Sequence, residues 1–170
     1  MLFHPRSAPS AFGHWDTMQA IEEHFCLMNT HVACKVFGPQ ADEALLAIQA
    51  ELYRLEGLLS RYQRKSDISK INKASGRKAV KVDQATFAVL KRAQQFSSLS
   101  DGLFSLLVGP LVDLWDYKKA KQKPDEAAIQ KVLSLLDCTD LVLCDKDQSA
   151  FLPYKGQSID LGAIGKGYAA

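Results

Sequence analysis

Between Gly38-Pro39 and Ser60 the apolar residues fall in steps of three and four: Leu45, Ile48, Leu52, Leu55 and Leu59. That spacing predicts one amphipathic helix from about Ala41 to Leu59 with a single buried stripe. The stripe lasts two heptads, too short for a zipper, so other parts of the chain must cover it. On its N-terminal side, Phe25 to Phe37 contains the alternating run HVACKVF and reads as one strand, broken by Gly38-Pro39. On its other side, LSRYQRKSDISKINKASG reads as an ordered loop with one helical turn, followed by a short strand from Ala79 to Val82. Asp83 is a good N-cap for a helix through about Ser98, with Phe87, Leu90 and Ala93 inward, and Asp101-Gly102 stops it. After the apolar stretch LFSLLVGPLVDLW and a lysine-rich loop, Pro124 opens a helix with Ile129, Val132, Leu133 and Leu136 on one side. Three short strands follow, in DLVLC, AFLPY and SIDL. Helices mixed with sequential hairpin strands give an α+β class, not a doubly wound sheet.

The chain has 170 residues, enough for one domain with a core, and is 47% hydrophobic and 24% charged. Residues 1–24 read as a loosely held arm and 25–170 as one folded portion. No apolar run reaches the roughly 20 residues that a membrane span needs. The opening MLFHPRSAPSAFGHW lacks the apolar core of a signal peptide, so the chain as written is expected in the cytoplasm. A net charge of +2 is too mild to imply nucleic acid. The basic stretches from Arg61 to Lys65 and from Lys118 to Lys123 read as solvated loops.

Cys26, Cys34, Cys138 and Cys144 form no C-x-x-C pair. Cys34 and Cys144 read as small core hydrophobes. His24, Cys26, His31 and Cys34 could be drawn as a zinc site, but a strand pattern runs through them.

The segment SIDLGAIGKGYAA, from Ser158 to Ala170, joins an alternating stretch to a glycine-rich bend and a helix start. It reads either as a phosphate-binding turn or as a plain strand-to-helix turn. It is not a P-loop, because Asp160 stands where the first glycine belongs and Gly167 where the Ser or Thr belongs. The spacing of Gly162, Gly165 and Gly167 is not the dinucleotide fingerprint either.

Four blocks taken in order carry a resemblance: CLMNTHVACKVFG, LEGLLSRYQRKSDISKIN, SDGLFSLLVGPLVDLW and IDLGAIGKGYAA. Together they resemble the FAD:protein FMN transferases, the flavin transferase family long called thiamine biosynthesis lipoprotein ApbE, over residues 25–170. The resemblance implies an incomplete α+β flavin transferase fold, its N-terminal half, with FAD bound in a deep cleft. It implies Mg²⁺-dependent transfer of FMN from FAD to a threonine of a partner protein with release of AMP; some members hydrolyse FAD instead. Many members work in the cell envelope. Carried over by position, Met28 and Tyr62 would line the flavin site, Leu103, Phe104 and Ser105 would contact the cofactor, and Asp160 would bond to it. The carbonyl of Ala163 would be a metal ligand, and Lys166 would neutralise phosphate charge. No catalytic residue is assigned.

The chain also departs from the family. Asn29 replaces the glycine of M-G-T, and Ser105 and Leu107 replace the acid and hydroxyl of G-A-F-D-x-T. The metal-site aspartate and threonine and the His-containing block of the family's second half have no counterpart here. The expectation is therefore half of an enzyme, inactive alone, with an apolar face able to self-associate or to meet a partner. The alternative is a non-catalytic flavin-binding or partner-binding module.

Overall fold

A computed structural model of the protein describes residues 20–116, 119 and 122–170. They fall into two units divided between Glu51 and Leu52. In the first, β1 (Ala20–Leu27) and β2 (Thr30–Phe37) pair antiparallel with Leu27 opposite Thr30. The expected single strand is thus a hairpin. Met28 and Asn29 have φ of 49° and 57°, the two left-handed residues of a primed turn, whose twist matches that of its strands. Asparagine tolerates this region better than other side chains, so it can stand where a glycine is usual. β1 begins at Ala20, inside the stretch read as an arm, and residues 1–19 lie outside the described residues.

Cys26 faces His31 across the hairpin, their side chains 3.3 Å apart, and His24 lies on the same face. Cys34 pairs with Glu23 and so lies on the other face, which separates the four residues of the drawn zinc site.

The division between the units falls within α1 (Ala41–Leu59), the helix expected from its stripe. Leu45, Leu55 and Leu59 are buried, while Ile48 is 37% exposed at the stripe's edge.

In the second unit, α2 (Asp67–Ala74) replaces the single helical turn expected there. Ser66 caps it by accepting the Ser69 N–H at 2.9 Å, and Ile68 and Ile71, three apart, are buried. β3 (Val80–Lys81), β5 (Ser149–Phe151) and β4 (Val142–Cys144) form an antiparallel sheet in the order β3-β5-β4. Leu143 points inward from β4, so its neighbour Cys144 is exposed, contrary to expectation; Cys138 is the buried cysteine. α3 (Gln84–Leu99) starts at the Asp83 cap as read, with Phe87, Leu90 and Ala93 buried.

α3 ends in a Schellman motif: the Gly102 N–H donates to Ser97 O (3.0 Å) and the Asp101 N–H to Ser98 O (3.3 Å). Asp101 is the left-handed residue, at φ 49°. Asp101→Gly is therefore expected to raise stability by about 0.5–1 kcal/mol, relief of the left-handed strain exceeding glycine's extra unfolded freedom. A higher urea midpoint with an unchanged slope checks it.

α4 (Gly109–Trp115) has Pro110 in its first turn, where a missing N–H costs nothing. α5 (Glu126–Leu133) is capped by Asp125, with Pro124 ahead of the cap and not inside the helix. Leu133 is 43% exposed, off the face expected for it. The lysine-rich stretch before α5 lies partly outside the described residues.

The third expected strand, SIDL, is not a strand. Asn72 takes the place of a neighbouring strand: its side-chain amide donates to Ile159 O (3.0 Å), and its oxygen accepts the Ile159 N–H (2.7 Å). The Asp160 N–H goes to Leu106 O at 2.9 Å. The segment's backbone is satisfied without a ladder. A short helix, α6 (Gly165–Ala169), follows.

Candidate functional site

The site grows from the loop between α1 and α2. The Ser66 hydroxyl donates to Ser60 O (2.5 Å) and the Ser69 hydroxyl to Arg61 O (2.8 Å), which pins the backbone and turns the Arg61 side chain inward. This arginine, read from sequence as part of a solvated basic loop, has a side chain only 10% exposed. Its Nη1 donates to Asp160 Oδ2 (3.0 Å) and to Gly109 O (3.3 Å), and its Nη2 donates to Asp113 Oδ2 (2.6 Å). Burial opposes its charge. The hydrogen bonds and charges of Asp160 and Asp113 outweigh that burial and hold the guanidinium above its ordinary pKa.

Asp160 is doubly engaged. Its second oxygen, Oδ1, accepts the Gly162 N–H at 2.8 Å, so the carboxylate shapes the bend of its own loop. The same loop is held from α4 by close backbone approach: the Gly109 N–H donates to Ser158 O at 3.2 Å, in a space that a side chain would fill. Beyond the bend, Ala163 is exposed and Lys166 Nζ donates to Gly162 O at 3.3 Å. Tyr62 is 66% exposed, its ring 5.5 Å from the Arg61 guanidinium carbon.

Tyr62, Asp160, Ala163 and Lys166, chosen from sequence, thus stand around Arg61 and the loop 158–166. Arg61 and Asp113 were missed. Arg61 lies in a loop without periodicity, Asp113 is an exposed residue of the short α4, and the bonds that join Arg61 to Asp113 and to Asp160 span 52 and 99 positions in the sequence. Their only local signal was a long cation directly after a buried helix end.

The 103–105 block behaves differently. Leu103 is 93% exposed. Phe104 is half-buried and donates its N–H to the Ser100 hydroxyl at 2.9 Å. Ser105 turns its hydroxyl to Leu136 O (2.7 Å), accepts the Leu107 N–H and lies 3.0 Å from the Cys138 sulfur. It lines an open cleft of about 740 Å³ together with Ser97, Asp101, Leu136 and Cys138; Asp160 and Tyr62 are not on that cleft. Leu107 is fully buried. Met28 lies in the hairpin turn of the first unit.

Among the described residues no cluster of three or more His, Cys, Asp or Glu is arranged to hold a metal ion. Nor is any helix there long and apolar enough to cross a membrane.

Comparison with known proteins gives the site its context. Residues 28–170 match the family model described as the ApbE family. An FAD:protein FMN transferase of Klebsiella pneumoniae (strain 342) is 36% identical over 146 residues, 85% of this chain and 46% of that protein. Another, from Treponema pallidum (strain Nichols), is 29% identical over 151 residues, 85% of this chain and 41% of its own. The chain therefore spans less than half the length of these relatives. Among solved structures, the ApbE protein of Thermotoga maritima matches with a TM-score of 0.82 and 28% identity, over 89% of this chain and 50% of that one. The flavin transferase ApbE of Vibrio cholerae shares the fold with a TM-score of 0.82 at 19% identity, over 89% of this chain and 51% of its own. The expected α+β class is that of these structures. With its hairpin, capped helices and arginine-held loop on a fold of this kind, and with the family match running from Met28 to the last residue, the chain belongs to the ApbE family.

Proposed function

We propose that this chain is the FAD-holding portion of an FAD:protein FMN transferase. The observation that carries the reading is the exposed Tyr62 ring beside the Arg61–Asp160 loop. An aromatic face with a polar tip suits an isoalloxazine or adenine ring. The Lys166 ammonium supplies positive charge within one loop's reach of a pyrophosphate, while the Arg61 guanidinium, already paired with two carboxylates, holds that loop in place. In the transfer, the hydroxyl oxygen of an acceptor threonine forms a bond to the FMN phosphorus. The bond from that phosphorus to the bridging oxygen breaks, AMP leaves with its electron pair, and the threonine proton passes to solvent or a base. Such chemistry relies mainly on positioning and charge neutralisation.

The Mg²⁺ of the resemblance is not fitted by these residues alone. Ala163 offers one neutral carbonyl, while Arg61 already binds both Asp160 and Asp113. The isolated chain is accordingly expected to bind FAD weakly and to release no AMP from it above background. Met28, Leu103, Phe104 and Ser105 remain proposed flavin contacts. A flavin-accepting protein is the proposed partner, and self-association is proposed through exposed apolar groups such as Leu99 and Leu103.

Titration of FAD by fluorescence quenching tests the pocket. Tyr62→Ala is expected to weaken binding about 2- to 12-fold, the range for a lost aromatic stack, and Asp160→Ala to weaken it as well. Equal affinities in all three chains sink the proposal. A second reading, a flavin-binding module without catalysis, is favoured by the commitment of Ser105 to Leu136 O and of Leu107 to the core. The two readings part when a relative's C-terminal half is added in trans: the first expects AMP release, the second does not.

A further inference from the structure

We infer that Arg61 is a positioning residue, which sets the loop 158–163 in its ligand-ready form. Three observations converge on it. Its guanidinium joins three separate segments: the α1–α2 loop, α4 through Gly109 O and Asp113, and the 158–163 loop through Asp160. It is nine-tenths buried, although its Asp113 partner is 64% exposed, so its pairing with Asp160 and Gly109 O is the sheltered one. And Asp160, once held by Arg61, passes the constraint on, because its other oxygen fixes the Gly162 N–H just before Ala163.

A planar fork is what this arrangement needs. Nη1 reaches a carboxylate and a carbonyl while Nη2 reaches a second carboxylate. A lysine, with one compact ammonium, keeps the charge but cannot span the three acceptors. Removing the guanidinium leaves two carboxylates on neighbouring elements with no cation between them, and the loop is released from α4 on that side. The guanidinium also holds the Asp160 and Asp113 oxygens against a divalent cation, so the loop offers ligands its backbone and Lys166 in preference to its carboxylate. The inference rests on the proposed FAD site for its ligand; the loop geometry stands apart from that reading.

The test uses the 170-residue chain with Arg61→Ala, Arg61→Lys and Asp113→Asn, read by amide hydrogen exchange and by FAD quenching. In Arg61→Ala the amides of Asp160 and Gly162 are expected to exchange at least tenfold faster, with those of Val89, Leu90 and Ala93 in α3 unchanged. FAD affinity should fall at least tenfold. Arg61→Lys should recover part of both, and Asp113→Asn, which keeps an oxygen for Nη2 but removes its charge, should lower protection and affinity by less than Arg61→Ala does. Methylguanidinium at millimolar concentration should restore protection and affinity to Arg61→Ala while leaving the parent unaffected, a rescue that a general loss of stability would not show. Unchanged exchange at Asp160 and Gly162 overturns the assignment. So does uniform acceleration through α3, or failure of both lysine and methylguanidinium to recover any protection. If the loop responds as stated but no chain binds FAD, the positioning role stands and the flavin reading falls.

Discussion

Gly109→Ala is expected to destabilise the chain by about 2–3 kcal/mol, the cost of forcing a methyl group into a packed contact. A Cβ at this position would lie 2.6 Å from the carbonyl oxygen of Ser158, and nearer still to its hydroxyl. The hydroxyl can rotate away. The carbonyl cannot, because it accepts the Gly109 N–H and belongs to the segment that Asn72 and Leu106 hold in place. The melting temperature should fall by roughly 5–10 °C for a chain of this size. A second change, Ser158→Gly, removes the hydroxyl and should recover only part of the loss. Full recovery in the double variant would show that the backbone contact is not what excludes a side chain from position 109.

Asp67→Ala should cost a similar amount, about 2–4 kcal/mol, by a different route. The buried carboxylate at the start of α2 accepts the Asp83 N–H (2.8 Å) and the Thr86 hydroxyl (3.1 Å) on one oxygen, and Lys70 pairs with the other (2.9 Å). Thr86 is fully buried, so truncating Asp67 strands its hydroxyl with no water to replace the partner. Asp67→Asn keeps an oxygen in reach of both donors and gives up only the Lys70 pair, whose lysine is half exposed. It should cost no more than about 1 kcal/mol. Thermal or urea unfolding of the two variants checks the contrast. Equal losses would mean that the charge, and not the acceptor oxygen, is what the fold requires.

Periodic signals were read well and non-local ones poorly. The α1 stripe and the Asp83 cap of α3 could be placed from sequence because their causes are local: side-chain spacing in one, a single carboxylate immediately ahead of a helical run in the other. The stretch SIDL misled for an instructive reason. Ile159 and Leu161 are buried while Ser158 and Asp160 are less so, an alternation that is real. But alternation reports which side chains are buried, not what pairs with the backbone, and here the partner is the side chain of Asn72. The hairpin turn at Met28-Asn29 does leave a sequence trace: the inward positions change phase across it, from Phe25 and Leu27 to Val32, Cys34 and Val36, which a single strand does not allow. Of the residues standing around the loop 158–166, the resemblance named Tyr62, Asp160, Ala163 and Lys166. It gave no sign of Arg61, the side chain that holds Asp160, because nothing near position 61 announces a partner 99 residues away.

That distance has a kinetic meaning. The loop at 158–163 is held by bonds that reach back 87 and 99 residues, from Ile159 to Asn72 and from Asp160 to Arg61, and Arg61 itself reaches across 48 residues to Gly109. Each bond closes a long stretch of chain, and the entropy of closure must be met before the contact returns anything. Local helices such as α1 and α3 can form early; the loop can take its shape only once α2 and α4 stand where Asn72 and Gly109 await it. Competence to take up a ligand should therefore lag behind the gain of helical signal during refolding. A ligand that binds this loop selects only chains that have completed the closure, and draws the population towards them by mass action.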